Sequence, residues 1–163
     1  MDCKINIETE LGKGSRFYFT METAYLHDGK DQQVASTIKE QDLQQAQVLL
    51  VEDTPFNIMF TKQLLEGWNT AVDVAENGLI AIEMMQQKQY DLVLMDLHMP
   101  VMDGYTASMK IRAFNDHTPI ITLTATVSED VKKRLQQVGM QDYVTKPFDI
   151  DVLFLKMERV LKK

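Results

Sequence analysis

Near the start of the chain, apolar and polar residues alternate on both sides of a glycine-containing turn. Ile5 and Ile7 alternate with polar residues before the turn, and Phe17 and Phe19 lie in an aromatic-rich run after it. A period of two is typical of half-buried strands, so residues 1–26 are predicted to form a β-hairpin. Because two strands alone are marginally stable in water, we expect this hairpin to need a partner surface.

The apolar content falls sharply between His27 and Gln45. This stretch has no aromatic residue and few aliphatic ones. Such a composition favours a linker, and the second half of the stretch has weak helical character.

From Gln47 onward, short apolar runs alternate with stretches of helical periodicity. The predicted strands cover residues 48–51, 71–75, 92–95, 120–123 and 142–144. The predicted helices cover residues 55–66, 77–88, 103–114, 128–138 and 150–161. Strands that are apolar on both faces and alternate with helices predict a parallel sheet covered on both sides. We therefore predict an α/β fold for residues 46–163, with a five-stranded doubly wound sheet and five helices.

Charge and composition exclude some classes of function and location. The formal net charge is −7 and the pI about 4.9, which disfavours a nucleic-acid partner. The one cysteine, Cys3, has no internal disulfide partner, which favours a reducing compartment. No apolar run reaches the roughly 18 residues of a membrane span, and no secretory signal precedes the hairpin. These features predict a soluble, cytoplasmic fragment without membrane contact, and they leave open a membrane anchor in a longer parent chain.

Charged and hydroxyl side chains follow the predicted strands at the point where each strand ends. Glu52 and Asp53 follow the first strand, Asp96 ends the third, Thr124 ends the fourth and Lys146 follows the fifth. In a doubly wound sheet, functional groups lie beyond the carboxyl ends of the strands, where strand order reverses. We therefore expect these five side chains to converge at one edge of the sheet.

The converging groups fit one reaction. Three neighbouring carboxylates repel each other, and oxygen ligands with water-filled positions favour Mg²⁺ over a soft metal. With a cation bound, Asp96 is ionised and can act as a nucleophile that forms an aspartyl phosphate. Lys146 would neutralise charge on the transferred phosphoryl group, and the Thr124 hydroxyl could donate a hydrogen bond to it.

Each of these residues also has a simpler interpretation. Asp53 alone, before Thr54 and Pro55, is more typical of a helix cap. Asp103-Gly104 is consistent with a helix start or a turn. Thr124 alone resembles an ordinary strand residue, and Lys146 alone a solvated charge. Only their joint placement at successive strand ends favours a functional site.

Four longer motifs then resemble the response-regulator receiver family. They are Val48–Asp53 (VLLVED), Asp91–Gly104 (DLVLMDLHMPVMDG), Leu123–Ala125 and Lys146–Phe148. The stretch Val74–Gly78 fits the same family, and the motifs occur in the family's order over residues 46–163. The resemblance implies a flavodoxin-like sheet with strand order 2-1-3-4-5.

The resemblance also implies a role for each site residue. Asp96 is the phosphoacceptor of a two-component signal-transduction phosphorelay. Asp53, Asp96 and the backbone carbonyl of His98 bind Mg²⁺, and Glu52 assists. The His98 side chain is expected at the mouth of the site, where it tunes the lifetime of the phosphoryl group.

The same resemblance implies a switch. Thr124 carries the hydroxyl that moves toward the phosphoryl group, and Tyr143 is the aromatic residue that turns inward with it. Without the family, Tyr143 would be interpreted as a partly buried strand aromatic. Lys146 bridges acid and phosphoryl oxygens, and in this family the bond to Pro147 is often cis.

A second resemblance concerns the hairpin. Residues 5–20 are similar to the closing strands of a histidine-kinase ATP-binding domain. Gly12-Lys13-Gly14-Ser15 lacks the spacing of a P-loop, and the earlier nucleotide-binding motifs are missing, so we expect no ATP binding here. A kinase remnant at 1–26, a linker at 27–45 and a receiver domain at 46–163 predict the C-terminal part of a hybrid sensor histidine kinase.

Together these resemblances imply a phosphorelay intermediate. Asp96 would take a phosphoryl group from a phosphohistidine, with the parent kinase as the expected donor. Because the sequence stops at Lys163, just after the last predicted helix, we expect no DNA-binding output domain. The group would then pass to a histidine phosphotransfer protein, or the receiver would regulate its own kinase core. By itself the fragment would catalyse only its own phosphorylation and dephosphorylation.

Other function classes remain as alternatives. The first is a non-catalytic receiver-fold interaction module. A doubly wound hydrolase with Asp96 as its nucleophile would need a cap insertion, and every connection here is short. A dinucleotide-binding fold is disfavoured because no glycine-rich fingerprint follows the first strand.

Overall fold

The N-terminal segment forms the predicted hairpin. The computed structural model describes residues 4–10, 14–20 and 41–162. The chain divides into two compact units, Met1–Ile38 and Lys39–Lys163. In the first unit, β1 (Lys4–Glu10) pairs antiparallel with β2 (Gly14–Thr20). The predicted linker falls largely outside the described residues, as does the weak helix in its second half.

The second unit alternates strands and helices as predicted. Its strands are β3 (Gln47–Val51), β4 (Ala71–Ala75), β5 (Leu92–Asp96), β6 (Ile120–Thr124) and β7 (Asp142–Thr145). Its helices are α1 (Pro55–Gly67), α2 (Gly78–Gln87), α3 (Gly104–Arg112), α4 (Glu129–Gln137) and α5 (Ile150–Leu161). No boundary differs from its prediction by more than two residues. None of the helices among the described residues has the length and apolar character that a membrane span requires.

The five strands of this unit form one parallel sheet. Their spatial order is β4-β3-β5-β6-β7, which confirms the predicted order 2-1-3-4-5. From β3 the chain passes to β4 on one side and later to β5 on the other, so the strand order reverses between β3 and β5. A crevice forms at such a reversal, beyond the carboxyl ends of these two strands.

Both faces of the sheet are buried, as the continuous apolar runs predict. Successive strand residues point to opposite faces, so Leu49 and Val51 belong to one core cluster and Val48 and Leu50 to the other. Residues of α2, α3 and α4 pack in the first cluster, and residues of α1 and α5 pack in the second. The sheet edge that carries the strand ends thereby lies between two helical layers.

Side-chain caps begin four of the five helices in this unit. Asn77, Asp103, Ser128 and Asp149 each accept hydrogen bonds from backbone N–H groups in the first turn of α2, α3, α4 and α5. Each such cap stabilises its helix by about 1 kcal/mol. Helix α1 begins differently, with Pro55 in its first turn and no side-chain cap. The side chains of Glu52 and Asp53, which precede α1, therefore do not cap it.

Residues 41–45, which the sequence pattern assigns to the linker, lie within the second unit and contact the end of α1. Leu43 is 5% exposed, and its N–H donates to the carbonyl of Trp68 at 2.9 Å. The Trp68 indole N–H donates to Gln41 Oε1 at 2.8 Å. The predicted domain limits at 26 and 45 stay predictions.

Candidate functional site

Three carboxylates meet at the carboxyl edge of the sheet. Glu52 and Asp53 directly follow β3, and Asp96 ends the neighbouring strand β5. One oxygen atom from each carboxylate lies within 4.8 Å of the others. The parallel register of β3 and β5 brings these residues together, as the strand-end rule predicts.

Lys146 joins this cluster from the end of β7. Its Nζ donates to Glu52 Oε2 at 2.5 Å and to Asp96 Oδ2 at 2.6 Å. Burial alone lowers the pKa of the Lys146 ammonium, but the hydrogen bonds and charges of Asp96 and Glu52 outweigh it and raise the pKa above its ordinary value. Lys146 is therefore a cation at neutral pH. One ammonium thus faces three carboxyl groups in the cluster.

Asp96 is held by donors at both of its oxygens. Its side chain is 12% exposed. Oδ1 accepts the backbone N–H of His98 at 3.0 Å, and Oδ2 accepts the Lys146 ammonium. The His98 side chain is itself exposed, so among the described contacts it is the backbone of His98 that reaches the site. A carboxylate oriented in this way presents a defined oxygen to an incoming group.

Gly104 allows α3 to begin directly beside Asp96. A Cβ at this position would lie 2.1 Å from the Asp96 carbonyl oxygen, so no other residue fits without moving the backbone. The Gly104 N–H donates to the Leu97 carbonyl at 3.1 Å, and Asp103 caps the helix through Thr106. The predicted helix start at Asp103-Gly104 is confirmed. The close approach to Asp96 was not apparent from the sequence.

Glu52 is the most deeply buried acid of the cluster, at 1% exposure. While Oε2 accepts Lys146, Oε1 accepts the Thr54 N–H at 3.3 Å and the Asn57 side-chain amide at 3.0 Å. Asn57 was not among the predicted site residues. Its position in the first turn of α1, five residues after Glu52, is the only signal that could have indicated it.

Asp53 does not cap α1. The N-cap position belongs to Thr54, whose side chain makes no cap hydrogen bond. The Thr54 hydroxyl donates instead to Asp53 Oδ1 at 3.4 Å. The single-residue interpretation of Asp53 as a helix cap is therefore wrong, because the chain turns into α1 one residue later. The Asp53 carboxylate is half-buried and faces the other two acids.

Thr124 and Tyr143 lie beside the cluster and not in it. Thr124 is 1% exposed at the end of β6, and its hydroxyl donates to the Thr126 carbonyl at 3.1 Å. Tyr143 is half-buried on β7, and the Lys156 ammonium lies 4.7 Å from the centroid of its ring. The peptide bond between Lys146 and Pro147 is cis. The structure thus brings Glu52, Asp53, Asp96 and Lys146 together at one edge of the sheet and leaves the two predicted switch residues at the periphery.

The donor set fits a hard divalent cation. Three carboxylate oxygens converge, and two of the three acids are buried, so their mutual repulsion is poorly screened by water. Carboxylate and carbonyl oxygens with room for water are the ligands that Mg²⁺ prefers. The chemistry of these residues therefore agrees with the magnesium site that the resemblance implies.

Comparisons with known proteins agree with this geometry. Residues 48–158 match the response regulator receiver domain family. The chain is 43% identical over 105 residues to sensor protein GacS of Pseudomonas syringae pv. syringae, which covers 61% of this chain and 12% of that protein. It is 34% identical over 152 residues to the aerobic respiration control sensor protein ArcB of Escherichia coli K12, which covers 91% of this chain and 19% of that protein. The chain thus spans less than a fifth of the length of either relative.

A solved structure is similar as well. The receiver domain of sensor histidine kinase PA1611 from Pseudomonas aeruginosa PAO1 has a magnesium ion coordinated in its active site cleft. It is 34% identical to this chain and superposes with a TM-score of 0.68, over 72% of this chain and 98% of that one.

Proposed function

Because the chain belongs to the response-regulator receiver family of two-component systems, we propose that Asp96 accepts a phosphoryl group and forms an aspartyl phosphate. The observation that carries the proposal is the environment of the Asp96 carboxylate. It has a backbone donor on one oxygen, the Lys146 ammonium on the other, and two further carboxylates beside it. The two donors would hold a nucleophilic oxygen and compensate phosphoryl charge, and the two further carboxylates would help to hold a cation.

The reaction is a substitution at phosphorus. An oxygen of the Asp96 carboxylate forms a bond to phosphorus as the phosphorus–nitrogen bond of a phosphohistidine breaks. The electron pair of that bond stays with the imidazole nitrogen, which takes up a proton from solvent. Lys146 stays protonated and donates to an oxygen of the transferred group, because its pKa is raised by the acids around it.

Asp53, Asp96 and the backbone carbonyl of His98, assisted by Glu52, would hold Mg²⁺ in this site. When bound, the ion supplies positive charge against the carboxylates and the phosphoryl oxygens. Glu52 and Asp96 meanwhile share the Lys146 ammonium between them, which sets its position relative to the nucleophilic oxygen.

The added charge would be sensed by Thr124 and Tyr143. The Thr124 hydroxyl would exchange its bond to the Thr126 carbonyl for one to a phosphoryl oxygen. This change would move the loop between β6 and α4, and Tyr143 would turn inward into the space that is vacated. Phosphorylation would thereby alter the surface formed by α4 and β7.

The proposed partners are proteins that carry a phosphohistidine. The similarity to sensor protein ArcB extends over 91% of this chain, which supports an origin in a hybrid sensor kinase. Exposed apolar residues on α1 also support a protein contact near the site, with Phe56 at 70% and Met59 at 61% exposure. We propose the parent kinase as the donor and a histidine phosphotransfer protein as the acceptor, or regulation of the kinase core itself.

Intact-mass measurement after incubation with acetyl phosphate tests the phosphoacceptor role. We expect one phosphoryl adduct that requires Mg²⁺ and is absent from Asp96→Ala. Asp116→Ala is the matched control, because Asp116 is an exposed loop aspartate, and it should be modified like the wild type. An unmodified wild type under all conditions would instead favour the non-catalytic interaction module.

A further inference from the structure

Asn57 is the only side chain of α1, among the described contacts, that bonds to the carboxylate cluster. Its amide nitrogen donates to Glu52 Oε1 at 3.0 Å. The backbone N–H of Thr54 donates to the same oxygen from a longer distance, 3.3 Å. The other oxygen of Glu52 accepts Lys146 at 2.5 Å. The two oxygens of one buried carboxylate thus have separate sets of donors.

The Lys146 ammonium is bonded to Glu52 through Oε2, the oxygen that Asn57 does not contact. Lys146 is shared between Glu52 and Asp96, at 2.5 Å and 2.6 Å. Glu52 is 1% exposed, so the loss of a protein donor to its carboxylate is costly. Without the Asn57 donor, Oε1 would lose charge compensation and the Glu52 carboxylate could rotate toward Lys146. The ammonium would then move toward Glu52 and away from Asp96.

We propose that Asn57 is a positioning residue for phosphoryl transfer, which acts by orienting Glu52 so that Lys146 remains shared with Asp96. The inference rests on the proposed function of Asp96. Asn57 itself touches neither Asp96 nor Lys146 among the described hydrogen bonds. Its role is therefore indirect, and its loss should slow the reaction more than it weakens the binding of a small phosphodonor.

Two substitutions remove the donor in different ways. Asn57→Ala deletes the amide, and Asn57→Asp keeps its shape but places a second carboxylate against Glu52. Asn69→Asp is the matched control, because the Asn69 amide also donates to a carboxylate, that of Asp42 at 2.9 Å, at the opposite end of α1. Asn69 has a left-handed backbone conformation with φ 57, which aspartate tolerates. Asn57→Gln retains a donor on a longer side chain.

The first readout is the rate of phosphorylation of the full chain by acetyl phosphate at saturating Mg²⁺. Loss of a hydrogen bond to a charged group should lower the maximal rate about tenfold in Asn57→Ala, with the half-saturating acetyl phosphate concentration changed less than about twofold. Asn57→Asp should be slower still, and Asn57→Gln should recover part of the rate. Asn69→Asp should match the wild type.

The second readout needs no metal and no turnover. In the metal-free protein, the NMR signals of the Asn57 side-chain amide should shift on Glu52→Gln, and those of the Asn69 amide should not. In a separate titration, the backbone amide signal of His98, which donates to Asp96 Oδ1 and is present in every variant, reports Mg²⁺ binding. Loss of a group that hydrogen-bonds a metal-binding carboxylate can weaken metal affinity by about tenfold or more. The titration therefore gives the Mg²⁺ concentration that saturates each variant, at which the phosphorylation rates are compared.

The outcomes separate the inference from the proposed function. Wild-type rates in both Asn57→Ala and Asn57→Asp would overturn the positioning role while Asp96 remained the acceptor. Equal losses in Asn57→Ala and Asn69→Asp would assign the effect to general destabilisation and also overturn it. An Asn57 amide that does not respond to Glu52→Gln would show that the bond is not made. A wild type without any adduct at Asp96 would overturn the proposed function and, with it, this inference.

Discussion

The Lys146 ammonium lies 2.6 Å from Asp96 Oδ2 and links the ends of two strands that are not neighbours in the sheet. Asp96 ends β5, and Lys146 directly follows β7. Strand β6 lies between these two strands. The long lysine side chain spans this gap and also reaches Glu52 beyond β5. One cation therefore compensates acids from β3 and β5 together.

Removal of this cation should destabilise the metal-free protein and strengthen its binding of Mg²⁺. In Lys146→Ala, Glu52 and Asp96 repel without a counter-charge, so we expect the free energy of unfolding in urea to fall by about 1–3 kcal/mol. Saturating Mg²⁺ should restore much of this loss. Lys133→Ala, on the exposed side of α4, should change neither quantity. Equal Mg²⁺ affinities in wild type and Lys146→Ala would contradict the conclusion that Lys146 compensates the charge of both Glu52 and Asp96.

The close approach of Gly104 to Asp96 predicts that position 104 does not tolerate a side chain. In Gly104→Ala the new methyl group meets the Asp96 carbonyl oxygen at 2.1 Å, and only a backbone shift relieves it. Urea unfolding should show a loss of about 3 kcal/mol or more. Gly67→Ala is the control, because nothing lies within 4 Å of a Cβ there, and its higher helix propensity should raise stability by up to about 1 kcal/mol. Similar stabilities for the two variants would refute the close approach.

Asp73 should make stability depend on pH. Hydrogen bonds from Lys88 and Tyr90 hold the pKa of the Asp73 carboxyl below its ordinary value of 3.8. A group whose pKa is lower in the folded state contributes stability above its unfolded pKa, and that contribution is lost as pH falls through the folded pKa. Urea unfolding of Asp73→Asn should therefore show lower stability than the wild type near neutral pH. The difference should shrink steadily as the pH falls below about 4. A difference that stays constant down to strong acid would rule out this ionic contribution.

Thr124 should transmit the structural effect of phosphorylation to Tyr143 without being needed for the phosphorylation of Asp96. Thr124→Ala removes a buried hydroxyl that donates to Thr126, at a cost of about 1 kcal/mol, but leaves Asp96 and Lys146 in place. We expect the variant to accept a phosphoryl group from acetyl phosphate, while the NMR signals of the Tyr143 ring no longer shift. Thr145→Ala, at the exposed position paired with Thr124 in the sheet, should behave as the wild type. A normal Tyr143 response in Thr124→Ala would contradict the switch.

The order and type of the secondary structure follow from the sequence alone. Apolar runs such as Leu92–Met95 are buried on both faces, and their short length separates them from the longer helical stretches. Once a parallel sheet is predicted, its topology places Glu52, Asp53, Asp96 and Lys146 at one edge, because all the strands end there. The convergence of these residues was therefore predictable before any distance was known.

Only the tertiary structure decided how these groups contact each other. Whether Asp53 caps α1 depends on where the chain turns, and that point lies at Thr54. The bond from Asn57 to Glu52 and the approach of Gly104 to Asp96 depend on how α1 and α3 pack on the sheet. A pattern along the chain reports which face of an element is buried. It carries no information on distances between side chains of different elements, because packing sets those distances.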